Sequence, residues 1–166
     1  MNTTTHGSEH RSAQRGFTMV EMMVTVSVLA IMLAAASPSM VTFVASQRVK
    51  TSSFDVYSTL MFARSEAIKR RDNVSIVSST TDWTSGWTVQ DASNNVLRSQ
   101  DGPKGVTVTS SSATLTYGLD GRLTTSGALL TVESQVNPDT AGRRCLDIDT
   151  TGVPRSRALT GSATCP

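Results

Sequence analysis

The feature that most limits what this chain can become is an apolar run at residues 17–37 that carries a single charge, Glu21, close to its start. About 20 residues of helix are needed to cross the hydrocarbon core of a bilayer, and 17–37 is about that long. Residues 1–16 are polar and include Arg11 and Arg15, whereas the run has no basic residue; this asymmetry favours a cytoplasmic N-terminus and places the chain beyond residue 37 on the periplasmic side. An ordinary secretory signal is the competing reading, with Ala34-Ala35-Ala36-Ser37 as a small-residue cleavage site. Glu21 argues against it. A carboxylate costs about 2.5–3.5 kcal/mol at the centre of a membrane helix, and less near the interface. A disposable signal or a plain anchor has no use for that charge, so Glu21 is a candidate functional residue.

The remaining chemistry is sparse. Both histidines, His6 and His10, precede the apolar run. If residues 1–16 are removed, Ser-His-Asp and Cys-His catalysis and histidine-containing zinc sites go with them. Two cysteines, Cys145 and Cys165, are too few for a thiolate zinc site. No phosphate loop or activated nucleophile stands out, so the expectation is no enzyme, no metal and no cofactor. The net charge of +2 points to no polyanionic partner by itself.

Pro38 interrupts the helix after the apolar run, and a kink is expected there. Beyond it Val41, Val44, Phe54, Tyr57, Leu60, Met61 and Ile68 recur largely at three- and four-residue spacings, which predicts an amphipathic helix with those residues on its core face. Lys69-Arg70-Arg71 would close it, where cations suit the helix dipole. From residue 72 the period shifts to strands: 74–78, then 87–90 and 96–98 as a hairpin around Asn94-Asn95, then 106–109, 113–117, 128–133, 145–149 and an edge strand at 155–159. The expected class is α+β, one long N-terminal helix on a mostly antiparallel sheet. The divisions are 1–16 as a leader, 17–37 as a transmembrane helix, 38–71 as its amphipathic continuation and 72–166 as a β-rich periplasmic head.

Arg15-Gly16-Phe17-Thr18-Met19-Val20-Glu21 resembles the leader and cleavage site of type IV prepilins. The resemblance implies that a prepilin peptidase cuts between Gly16 and Phe17 and methylates the new N-terminus on Phe17. It implies that Glu21 serves assembly by meeting the α-amino group of a neighbouring subunit, a partner that a buried carboxylate requires. A proline at about the place of Pro38 is also a feature of these proteins. In the body, Phe62-Ala63-Arg64-Ser65-Glu66-Ala67-Ile68-Lys69-Arg70, Gly86-Trp87-Thr88-Val89 and Tyr117-Gly118-Leu119-Asp120-Gly121-Arg122 resemble segments of the GspH/FimT/FimU group of pilin-like proteins. The implied fold is the pilin fold. The implied partners are other pilins or pseudopilins in a filament, the prepilin peptidase and the inner membrane. Gly121 is expected to serve a turn with positive φ, and Trp87 to fill the core beside the helix.

Cys145 and Cys165 fall in the part predicted to face an oxidising compartment, so they are expected to form a structural disulfide, stabilising by about 3 kcal/mol and pinning the C-terminal tail. Arg143, Arg144, Arg155 and Arg157 cluster near that tail and are candidates for phosphate contacts. DNA-binding members of the group carry a Gly-Arg-x-Arg tail motif; here Gly152-Val153-Pro154-Arg155-Ser156-Arg157 has two further residues after the glycine. The alternative is a solvated edge strand whose charges discourage edge-to-edge pairing. The resemblance implies one of three roles: a minor pilin that helps prime a type IV pilus, a type II secretion pseudopilin, or a DNA-binding minor pilin for natural transformation.

Overall fold

The computed structural model describes residues 16–124, 127–159, 163 and 165, with backbone only for 35–38. Residues 1–15 of the expected leader and the Pro38 side chain lie outside that description. The chain divides into two compact units, Met1–Ser37 and Pro38–Pro166.

A helix, α1, spans Met19–Arg70. In the first unit it opens on Thr18, whose Oγ1 accepts from the Glu21 N–H at 3.2 Å, a side-chain cap for one of the orphan donors of the first turn. Thr18 followed three residues later by Glu21 has the sequence of a capping box, and the Glu21 charge suits the positive end of the dipole. The Thr25 and Ser27 hydroxyls turn back to donate to the carbonyls of Met22 (3.0 Å) and Met23 (2.7 Å). These two hydroxyls are thereby satisfied locally, as a hydrocarbon environment would demand.

In the second unit α1 carries the core-facing side of the head. It ends where Arg71 adopts φ +54° and the Asp72 N–H donates to the Ala67 carbonyl at 3.3 Å, a left-handed stop for the last turn. The buried face is Ala45, Val49, Ser52, Ser53, Val56, Thr59, Leu60, Ala63 and Ala67. This corrects the stripe expected from sequence. Leu60 is fully buried, but Val41, Val44, Phe54 and Ile68 are exposed, Phe54 at 68%. Small side chains make up most of this face, and several of the larger ones lie on its flanks.

The strands are β1 Val74–Val77, β2 Gly86–Asp91, β3 Val96–Asp101, β4 Val106–Ser110, β5 Thr114–Tyr117, β6 Ala128–Ser134, β7 Arg143–Ile148 and β8 Pro154–Leu159. They match the sequence periodicity, but they form two four-stranded antiparallel sheets rather than one, ordered β3-β2-β1-β5 and β4-β6-β7-β8. β5 leaves its neighbour β4 and pairs with β1, a non-local choice. The β2–β3 turn is held by the Asp91 carboxylate, which accepts from the N–H of Ser93 and of Asn95 at 2.9 Å and from Asn95 Nδ2 at 3.0 Å. Asn95 above all holds that carboxyl below its usual range.

Two short elements add to this: a 3-10 turn at Trp83–Ser85 and a helix, α2, at Pro138–Ala141. Trp83 is fully buried, and its indole donates to the Ser112 carbonyl at 3.2 Å. It lies 5.7 Å from Trp87, centroid to centroid, and the Trp87 indole donates to Thr59 Oγ1 at 3.2 Å on the small face of α1.

Candidate assembly segment, helix-end junction and basic edge

Every described side chain of residues 16–34 is exposed; Phe17 is 75% and Met19 87% accessible. A helix apolar around its whole circumference, with no described residue packed on it, needs an apolar surrounding to cover it. Among the described residues no single helix is long and apolar enough to cross a membrane, whereas Met19–Ala34 and Ser39–Arg70 together meet that requirement by length and composition. Glu21 sits in the first turn of this segment, and a Cβ on Gly16 would meet nothing within 4 Å.

At the other end of α1, two of the body segments meet. Arg64 Nε donates to the Gly121 carbonyl at 3.0 Å, so the helix end grips the Tyr117–Arg122 turn. Gly121 has φ +74°, the left-handed conformation expected for it, and a Cβ there would lie 2.6 Å from Ile68 Cδ1. Gly152 (φ +78°) brings the β7–β8 turn against the Gly121 carbonyl and Tyr117. Tyr117 is fully buried, burial pushes its phenol pKa upward, and its hydroxyl has no hydrogen-bond partner among the described residues. An unsatisfied buried hydroxyl is a net cost. Tyr117→Phe is therefore expected to raise stability by about 1 kcal/mol, seen as a higher urea midpoint with an unchanged slope. A loss of stability would mean that the hydroxyl has a partner in solution.

The structure joins Cys145 to Cys165 in a disulfide, with Cα atoms 5.8 Å apart. Cys165 Sγ also lies 3.2 Å from Thr131 Oγ1 on β6, so Cys165 itself rests on the outer face of β6 and β7.

The four arginines do not form one cluster. The β7–β8 register pairs Arg143 with Leu159, Cys145 with Arg157 and Asp147 with Arg155, which puts Arg143, Arg155 and Arg157 on the outer face. Arg144 pairs with Ala158 and faces the other way; it reaches Ser156 Oγ at 3.4 Å and lines a groove with Lys50 and Tyr57 of α1. Each outer arginine faces a carboxylate: Arg143 faces Glu133 at 2.9 Å and Asp139 at 3.9 Å, Arg155 faces Asp149 at 3.7 Å, and Arg157 faces Asp147 at 3.8 Å. The Arg143 Nε contact is short, but it lacks the alignment of a hydrogen bond. The Thr151 hydroxyl, then its N–H and the Arg155 charge, hold the Asp149 carboxyl below its usual range. Exposed pairs of this kind contribute little to stability, yet the carboxylates offset the field that a phosphate would meet.

The sequence model of the family described as Type II transport protein GspH matches residues 55–152. The chain belongs to the GspH family. A second match, to the prokaryotic N-terminal methylation motif, covers residues 11–37, the end of the leader and the apolar run together. The family match spans all three body segments from the helix end to the Gly121 turn. No curated protein sequence matches.

Among solved structures, the type IV minor pilin FimU of Pseudomonas aeruginosa shares 24% identity, covering 70% of this chain and 92% of that one at a TM-score of 0.58. A second crystal form of FimU gives 26% identity, 69% and 94% coverage and a TM-score of 0.55. The minor pseudopilin EpsH from the Type 2 Secretion System of Vibrio cholerae has 14% identity, 68% and 97% coverage and a TM-score of 0.51. Family and fold are thus those of structural pilins. This is a type IV pilin-like minor pilin or pseudopilin, a membrane-anchored subunit of a class that assembles with other pilins into filaments.

Sequence reasoning missed the Arg64–Gly121 bond, which joins two of the segments carrying the family resemblance. Its signal was present: an arginine two turns before the helix end, and a turn glycine far along the chain. Nothing in linear order couples them.

Proposed function

We propose that this chain is a minor subunit of a type IV pilus, made as a precursor that the prepilin peptidase cuts between Gly16 and Phe17 and methylates on Phe17. Residues 17–37 then hold it in the inner membrane with its head in the periplasm, until Glu21 meets the α-amino group of a neighbour and the subunit enters the filament. The observation that carries this reading is the methylation motif over 11–37, joined to a segment that buries none of its described apolar side chains. The pilus is favoured over the secretion system by the likeness to FimU, at 26% identity in one crystal form against 14% for EpsH.

A type II secretion pseudopilin is the second reading, and the family description supports it. A DNA-binding role draws no support from the basic edge, where three of the four arginines face carboxylates.

The N-terminal mass of protein recovered from membranes tests the processing. The expected species begins at Phe17 with one added methyl group. A terminus near Ser37 would mean ordinary secretion and would end the filament reading. Loss of surface pili in a deletion strain, with secretion intact, is expected for the pilus subunit; the opposite pattern would assign it to the secretion system.

A further inference from the structure

At the base of the head, where α1 emerges from residue 38, large apolar side chains crowd an exposed arc of the helix. Met40 is 61% and Phe43 58% accessible, and Val44 lies beside them at 42%. Two clefts open on this arc. One, of about 260 Å³, is lined by Met40, Val44 and Arg48 among others; the next, of about 390 Å³, by Phe43, Val44, Arg48, Asp55 and Lys104 among others.

Arg48 stands at the junction of the two. It reaches across to the β3–β4 loop, where a Cβ on Gly105 would sit 2.9 Å from its Nη1. Lys104 belongs to that same loop. Among the described residues, neither Arg48 nor Lys104 has a carboxylate within ion-pair distance, in contrast to the outer-face arginines. Asp55 also lines the second cleft, so two cations face one carboxylate there.

We infer that this base is a binding site for the headgroup of an anionic phospholipid, with the phosphate between Arg48 and Lys104 and the glycerol and upper acyl chain against Phe43 and Val44. The inference rests on the reading of residues 17–37 as the membrane anchor. Met40 comes so soon after Ser37 in sequence that about 10 Å of chain at most separates them. With the anchor ending at Ser37, Met40 lies within that distance of the point where the chain leaves the hydrocarbon. Helical side chains lean toward the N-terminus, so Arg48 leans toward the residue-38 end of the head and shares a cleft with Met40. Apolar side chains that dip inward, with basic ends at the phosphates, form the pattern of an interfacial contact. A membrane-held head would have to release this lipid to enter the filament, which makes headgroup charge a term in assembly.

The test uses the processed full-length chain in nanodiscs of phosphatidylcholine, with and without phosphatidylglycerol, read by amide hydrogen exchange. Exchange at Gly102, Lys104 and Gly105 is expected to slow by roughly tenfold in the anionic discs alone, and the Arg48→Gln/Lys104→Gln double variant to lose that slowing while still entering the discs. Equal exchange in both lipids, or an undiminished effect in the variant, overturns the headgroup site and leaves the anchor reading standing. Protection that tracks the number of chains per disc instead of the lipid assigns the surface to neighbouring subunits and also overturns it. Failure to enter either disc removes the anchor reading, and the lipid site with it.

Discussion

Glu21→Ala is expected to lower incorporation into filaments by about two orders of magnitude while the head remains folded. Glu21 lies in a segment with no packing partners of its own. On the reading proposed above, that segment is surrounded by lipid or by other subunits, where the carboxylate and the α-amino group of Phe17 in the next subunit would each be costly to bury alone. Stripping one member from a buried ion pair costs about 3–5 kcal/mol, because the other is left uncompensated, and about 1.4 kcal/mol is a factor of ten. The head is expected to be insulated from the change, since its buried residues run from Ala45 to Pro154. The helix start is insulated as well, because the Thr18 hydroxyl caps the backbone N–H of residue 21 whatever its side chain. Quantifying the variant in sheared filaments against its level in the membrane checks this. Wild-type incorporation would remove the ion-pair mechanism.

The second large effect is expected at Gly152. Its φ of +78° strains any L side chain, and a Cβ there would run into the Gly121 carbonyl, with Tyr117 Cε1 at 3.0 Å and Arg122 Cα at 3.3 Å. Two of these neighbours are backbone and the third is a buried ring, so none can swing away. Left-handed strain and overpacking together put Gly152→Ala at about 2–4 kcal/mol. That is a large part of the roughly 5–15 kcal/mol that keeps a typical domain folded. Gly121→Ala has a similar φ, but its clash is with the tip of Ile68, a half-exposed side chain free to rotate, so a loss of only about 1–2 kcal/mol is expected. Urea unfolding of the solubilised protein, followed by Trp83 and Trp87 fluorescence, ranks the two. If Gly121→Ala proves the more damaging, the backbone junction is not what holds the two turns together.

What could be read from the sequence was local. The apolar segment and its acidic residue occupy one short stretch, and strand-forming runs between turn residues mark β1 through β8 within a few residues. What could not be read was relational. The core face of α1 is built largely from Ala, Ser and Thr, which carry little hydrophobic signal, so the conspicuous residues Phe54 and Ile68 drew the stripe to the wrong side. Regularly spaced small residues such as Ala45, Ser52, Thr59, Ala63 and Ala67 were the available clue. The split into two sheets depends on β5 choosing β1, a pairing between distant segments. The four arginines are close in sequence, but the pleat of β7 and β8 turns Arg144 away from the rest. Their carboxylate partners on β6, α2, β7 and the β7–β8 turn were visible as residues but not as neighbours. Trp83, although fully buried, lies in a turn too short for any period to show.

The division of α1 into a small inner face and a large outer one makes two classes of variant separable within a single element. Enlarging Ala63 or Ala67 would push the sheets off the helix, and such variants should be lost to degradation before they reach any partner. Trimming Phe54 removes a side chain that the isolated head already exposes, so the protein should accumulate normally and any defect would appear only when subunits meet. A mutational screen that scores cellular abundance and filament content side by side would therefore sort the residues of this helix by direction, and the phase between the two profiles would trace the surface where neighbours touch.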